Sequence, residues 1–100
     1  MAASRFVLSA PASVKAGAKF SLTVTVVDAY GNVVTGYQGK IAFRSSDSMT
    51  TLPRSYRFTA ADQGVHTFTG LVLRKRGQQT ITVTDTLDGS LTASVLIDVR

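Results

Sequence analysis

The sequence predicts an all-β domain of about seven antiparallel strands, and three features of the chain favour this fold class. Short runs alternate apolar residues with serine and threonine, which is the pattern of a strand with one buried face. Turn-forming Gly, Asn and Asp residues bound these runs. No segment has a helical period long enough to connect parallel strands, so the sheets are expected to be antiparallel.

Seven runs are predicted to be strands, and each ends in turn-forming residues. They span residues 6–8, 20–26, 40–44, 56–58, 65–73, 80–84 and 91–99. The stretch 28–32 is a predicted turn, and Gly70 is expected to interrupt the fifth strand as a bulge. The number and spacing of the strands predict an immunoglobulin-like β-sandwich. Its predicted core consists of Leu22, Val24, Val26, Ile41, Phe43, Phe58, Phe68, Ile81, Val83, Val95 and Ile97.

The composition narrows the class of protein. A chain of 100 residues fits one domain, predicted over residues 5–100. Residues 1–4 are predicted to be a start added for expression, on a chain cut from a longer protein. The absence of cysteine excludes disulfides and thiolate metal sites, and the additional absence of tryptophan excludes an antibody-type domain. No apolar run is long enough for a membrane helix, so membrane insertion is not expected.

Several motifs occur in a fixed order along nearly the whole chain. In order they are Ala16-Gly17, residues 20–27, Asp28-Ala29-Tyr30-Gly31-Asn32, Gly36-Tyr37-Gln38-Gly39, residues 43–47, Leu52-Pro53, Tyr56, residues 58–62, residues 64–68 and residues 77–81. With these motifs the chain resembles the tandem Ig-like, filamin-like repeats of large bacterial surface and secreted proteins. The chain departs from the family's usual small or acidic residues at Arg54, Arg57, Arg74, Lys75 and Arg76.

The resemblance implies a function and a location. It implies a non-catalytic structural spacer in an extracellular or cell-surface bacterial protein with an adhesin-like, multidomain architecture. The partners implied are neighbouring repeats or domains of the same chain. The signal peptide would belong to the parent protein.

The inventory of reactive side chains argues against an enzyme. His66 is the only histidine, and it lies two residues from Phe68 on the same predicted strand face. Packing in the sandwich therefore explains His66 better than general-base catalysis, which would need a cleft and partner groups. No cofactor and no metal are expected.

The basic residues support an alternative function. Arg74-Lys75-Arg76 precedes a predicted turn, and the formal net charge is +5. In an up-and-down sandwich, Lys15, Lys19, Arg54, Arg57 and this triplet would gather at one end, with Asp47 and Asp98. The chain would then be a binding module, natural or an engineered scaffold, for an anionic glycan or protein. The alternative for these residues is a solvated loop. Specific nucleic-acid binding is not expected, since no aromatic residues interleave with the basic ones.

Four aspartates are expected at the opposite end of the sandwich. They are Asp28, Asp62, Asp85 and Asp88. Carboxylates on neighbouring turns can bind Ca²⁺, so these residues are weak candidates for a calcium site. They could also face the basic end of a neighbouring domain in a head-to-tail array.

Overall fold

The computed structural model describes residues 3–47 and 50–100, which form eight strands and one turn of 3₁₀ helix. The strands are β1 (Arg5–Ser9), β2 (Ser13–Val14), β3 (Lys19–Val27), β4 (Lys40–Ser45), β5 (Tyr56–Arg57), β6 (Val65–Val72), β7 (Gly77–Asp85) and β8 (Thr92–Val99); the 3₁₀ turn is Ala60–Asp62. The described residues contain no helix long and apolar enough to cross a membrane.

The strands form two sheets that pack face to face. One sheet has the order β1-β3-β6 and the other the order β2-β8-β7-β4-β5. All pairings among the described strands are antiparallel except that of β2 with β8, which is parallel. The prediction of an all-β protein is confirmed, and the prediction of antiparallel pairing throughout is wrong. The exception arises because the chain leaves β1 near Pro11 and adds β2 to the other sheet.

Strand β3 shows how the sequence pattern becomes a sheet. Leu22, Val24 and Val26 are fully buried between the sheets, whereas the threonines between them point outward. Thr23 lies beside Thr67 of β6, with 2.9 Å between the hydroxyl oxygens. Each buried aliphatic side chain contributes about 1.5–3 kcal/mol to folding, so the alternation fixes which face of the strand packs inward.

The predicted core residues are all buried except Phe43 and Val95, which are half-buried. Phe43 lies on β4 beyond the end of β5, because β5 pairs only with Lys40 and Ile41. Val95 lies on β8, where the two-residue β2 pairs only near the strand's end. Both side chains face inward, but the short edge strands leave them incompletely covered.

The two ends of the sandwich carry different loops. We call the end that holds the β2–β3 and β6–β7 connections and the end of β4 the lower end, and the opposite end the upper end. At the lower end the Ala16 amide donates to the Arg100 carbonyl over 2.8 Å, and the Gly17 amide donates to the Leu73 carbonyl over 2.9 Å. These hydrogen bonds tie the β2–β3 turn to both β8 and the β6–β7 loop.

Candidate functional site

Basic side chains gather at the lower end on segments that the backbone hydrogen bonds hold together. All are exposed, and they are Lys15, Lys19, Arg74, Lys75, Arg76 and Arg100. We call this set the lower basic surface. Among the described residues, Asp98 forms an ion pair here, with its carboxylate 3.3 Å from the Arg100 Nε. The other acidic residue of this end, Asp47, is buried.

Asp47 shapes the loop that carries the basic triplet. Its Oδ2 atom accepts hydrogen bonds from the Arg74 amide at 2.6 Å and the Lys75 amide at 2.9 Å. Its own amide is held by the Ser45 hydroxyl at 3.1 Å. The carboxylate is therefore turned into the loop, where charge-assisted hydrogen bonds fix the backbone of the triplet. From the sequence we expected Asp47 only to offset the positive charge.

Two of the predicted binding residues lie outside the lower basic surface. Arg57 pairs with Lys40 at the upper end, and its Nη1 donates to the Gln38 carbonyl over 3.3 Å. Arg54 is exposed on the segment that runs from the lower end, where Thr51 bridges to β6, up to β5. The predicted grouping of all five basic residues is therefore wrong. The order of the turns in the sequence did not show that this segment runs from the lower end to the upper end before β5 pairs with β4.

The four aspartates of the upper end do not form a metal site. The described residues contain no group of three or more His, Cys, Asp or Glu side chains that could hold an ion. The carboxylates are used in turns instead. Asp28 is buried and accepts hydrogen bonds from the Tyr30 amide at 2.8 Å and the Asn32 amide at 2.9 Å. Burial opposes the ionisation of Asp28, but these bonds outweigh it and lower the pKa.

Asp85 and Asp88 are held in the same way. Asp85 is buried, accepts hydrogen bonds from the Leu87 amide at 2.8 Å and the Asp88 amide at 3.0 Å, and also binds the Tyr37 hydroxyl. Asp88 accepts a hydrogen bond from the Ser90 hydroxyl at 2.5 Å, which lowers its pKa. With Asp28 and Asp85 buried, the upper end is not the acidic surface that a head-to-tail array would need. Contacts with neighbouring domains of the same chain stay a prediction.

Asp62 belongs to a separate cluster that joins the two sheets. Its carboxylate accepts hydrogen bonds from the Tyr56 hydroxyl at 2.8 Å and the Thr59 amide at 2.9 Å, and lies 2.9 Å from the His66 Nδ1. Burial opposes ionisation, but these three partners together lower the pKa of Asp62 to about 2. Tyr56 belongs to the five-stranded sheet and His66 to the three-stranded sheet. The Asp62 carboxylate therefore links one sheet to the other.

The aromatic surroundings of His66 agree with the packing role predicted from the sequence. The imidazole stacks on Tyr56 at 4.2 Å and lies 4.6 Å from the Phe68 ring. The link to Asp62 was missed. A signal for the position of Asp62 exists, because Thr59 and Asp62 have the spacing of a capping box, and the Thr59 amide donates to the Asp62 carboxylate.

Comparisons with known proteins add information on the fold. Two packed sheets with almost no helix define the class as an all-β sandwich. No family model matches the chain, and no curated protein matches it. Among solved structures the chain is similar to a superoxide reductase (neelaredoxin) from Ignicoccus hospitalis, with a TM-score of 0.58 and 21% identity, over 96% of this chain and 80% of that one. At this identity the likeness shows the fold alone.

This finding corrects the predictions that rested on the family resemblance. Membership of the tandem bacterial Ig-like repeats is wrong, since the chain is similar in structure to a superoxide reductase and no family model matches. The motifs were misleading because they are turn and core residues. The string at residues 28–32, for example, closes a turn by local hydrogen bonds that many two-sheet proteins can use.

The functional predictions that rested on this resemblance are corrected as well. The non-catalytic, adhesin-like spacer and the prediction of no enzyme are wrong, because the fold is one that an enzyme also uses. The extracellular or cell-surface bacterial location had no other support and is corrected as well.

Proposed function

We propose that the protein binds an anionic glycan through the lower basic surface. One observation carries the proposal: exposed lysines and arginines from separate segments converge on one end, while Asp47 is turned inward to hold the loop between them. A cluster of one charge sign attracts a polyanion and raises its rate of association.

The chemistry of the surface favours a glycan over other polyanions. The exposed large apolar residues in the described part of the chain are Val7, Tyr30, Val33, Val65, Leu87 and Leu96. None of them lies on the lower loops. A protein partner would need an apolar or aromatic centre, and single-stranded nucleic acid would need stacking rings. The lower basic surface can instead attract the sulfate or carboxylate groups of a glycan.

The strength of the interaction should depend on several weak contacts acting together. An exposed ion pair contributes about 0–1 kcal/mol, so no single side chain suffices. At physiological salt the Debye length is about 8 Å, comparable with the spacing of neighbouring side chains on one surface. Binding should therefore be measurable at physiological salt and lost near 1 M, where the Debye length is about 3 Å.

The test is binding of heparin, a sulfated glycan, by calorimetry at several salt concentrations. The double variant Lys75→Ser/Arg76→Ser removes two exposed cations of the surface without disturbing Arg74, which bonds Thr51 at 2.9 Å. The control Arg5→Ser/Arg54→Ser removes the same charge from exposed positions elsewhere. We expect about a tenfold loss for the first variant and less than twofold for the second. Equal losses would mean that only net charge matters, and the proposal would be wrong.

Superoxide reduction, the activity named for the structural neighbour, is not what these residues support. One-electron chemistry of oxygen species is carried by bound metals, haem or flavin. Non-haem iron takes several imidazole and carboxylate ligands, and thiolates hold other iron centres. This chain has one histidine and no cysteine. The donor set does not fit a redox metal, and we derive no reaction step from it.

We also propose that the sandwich belongs to the immunoglobulin-like class. The support is the strand order: the first strand is split between the sheets, and the rest alternate by hairpins and crossovers as in a Greek key. Within the described residues a long crossover links β3 to β4, in the other sheet.

A further inference from the structure

A shallow cleft lies on the outer face of the five-stranded sheet, at the upper end. It is lined by Ala42, Arg44, Thr84, Asp85, Thr86, Leu87 and Gly89.

The cleft on the outer face of the five-stranded sheet measures about 370 Å³. Ala42 is small and leaves room above β4, and Thr84 and Thr86 bring hydroxyl groups. Arg44 and Leu87 line the same cleft and are both exposed.

Arg44 lines this cleft, and Lys40 and Arg57 are basic residues near it on the same outer face of the sheet. Lys40, Ala42 and Arg44 alternate along β4 and so share its outer face, with about 13 Å of strand between the two basic residues. Lys40 lies directly opposite Arg57 of β5, and its carbonyl accepts the Thr86 amide at 2.9 Å. Like charges placed opposite each other on a sheet destabilise it by up to about 1 kcal/mol.

Two acidic side chains lie at the cleft, and Asp88, between Leu87 and Gly89, is hydrogen-bonded to the Ser90 amide and hydroxyl. Asp85 lines the cleft, but its carboxylate is committed to the Leu87 and Asp88 amides and to the Tyr37 hydroxyl. The ion pairs found among the described residues are those of His66 with Asp62 and of Arg100 with Asp98. Lys40 and Arg44 therefore have no ion-pair partner in the described part of the chain and are available to an external anion.

We propose that this cleft binds one acidic sugar unit, with its carboxylate or sulfate held by Arg44 and Lys40. The hydroxyls of Thr84 and Thr86 would meet the sugar hydroxyls, and Leu87 would cover an apolar face of the ring. Thr84 already shares a hydrogen bond with Thr92 at 2.9 Å, which fixes its side chain in place. The site is at the opposite end from the lower basic surface and does not depend on it.

The experiment is a titration with a sulfated heparin disaccharide, followed by backbone amide NMR. We expect shifts at Ala42, Arg44, Thr86 and Leu87, and about a tenfold weaker affinity in Arg44→Ser. Lys75→Ser/Arg76→Ser should leave these shifts unchanged, so the two binding proposals can fail separately.

Two further arms decide the outcome. Ala42→Phe fills the cleft without changing the charge, and it should abolish the shifts while the rest of the spectrum stays native. Inorganic sulfate is titrated in parallel. If sulfate produces the same shifts at the same concentration, the site takes an adventitious ion only and the proposal is overturned, as it is if Arg44→Ser binds the disaccharide normally.

Discussion

Replacing Asp62 tests whether its carboxylate holds the two sheets together. The Asp62 carboxylate accepts hydrogen bonds from the Tyr56 hydroxyl and the Thr59 amide, and it lies 2.9 Å from the His66 Nδ1. Asp62→Ala leaves these partners without their acceptor. A hydrogen bond to a charged group contributes about 1.5–3 kcal/mol, and water reaching the half-buried partners restores part of it. We expect a loss of about 3 kcal/mol, a large share of the 5–15 kcal/mol typical of a domain.

The pH dependence gives a second readout of the same group. The pKa of Asp62 falls from 3.8 to about 2 on folding, so its ionised form stabilises the folded state. This contribution is fully present above pH 3.8 and is lost as the pH falls through about 2. At about 1.4 kcal/mol for each pH unit between the two values, it amounts to about 2 kcal/mol.

Urea unfolding at pH 7, 4 and 2 measures both effects. Asp62→Asn should flatten the fall in unfolding free energy between pH 4 and pH 2, whereas Asp98→Asn, at an exposed position, should leave it nearly unchanged. If Asp62→Ala unfolds at pH 7 within about 0.5 kcal/mol of the wild type, the carboxylate does not clasp the sheets and the reasoning is refuted.

Three further predictions concern single residues. Gly64→Ala should lower the free energy of unfolding by about 2 kcal/mol or more, measured by thermal unfolding, because φ is +78° and an added Cβ would lie 2.5 Å from the Val34 carbonyl oxygen. Gly17→Ala is the control, because φ is +85° there but the added Cβ would meet no atom, and it should lower the free energy about half as much. Asp47→Ala should cost about 2–4 kcal/mol and weaken heparin binding, and an unchanged affinity would show that the loop needs no positioning. Phe43→Ala should cost about 2 kcal/mol by urea unfolding, since the ring is half-buried, and a loss above 4 kcal/mol would contradict this.

Much of the fold could be predicted because strand faces are set locally. The alternation around Leu22 and Val24 places both inward whatever the partner strand is. The bulge expected at Gly70 is also local, and φ there is +76° beside the register shift between Phe20 and Leu22. The parallel strand β2 gave no such signal, since two residues have no period to detect.

The residue pattern alone was enough to predict the all-β class, the inward faces of the long strands and the basic character of the β6–β7 loop. Which charges share a surface depends instead on how the strands pair and pack. Arg57 and Lys75 were expected together, yet the pairing of β5 with the start of β4 carries Arg57 to the upper end. Asp62 and His66 meet because a 3₁₀ turn folds one onto the other. Such placements depend on long-range pairing, which is chosen by the packing of the whole sandwich and leaves no periodic trace in the chain.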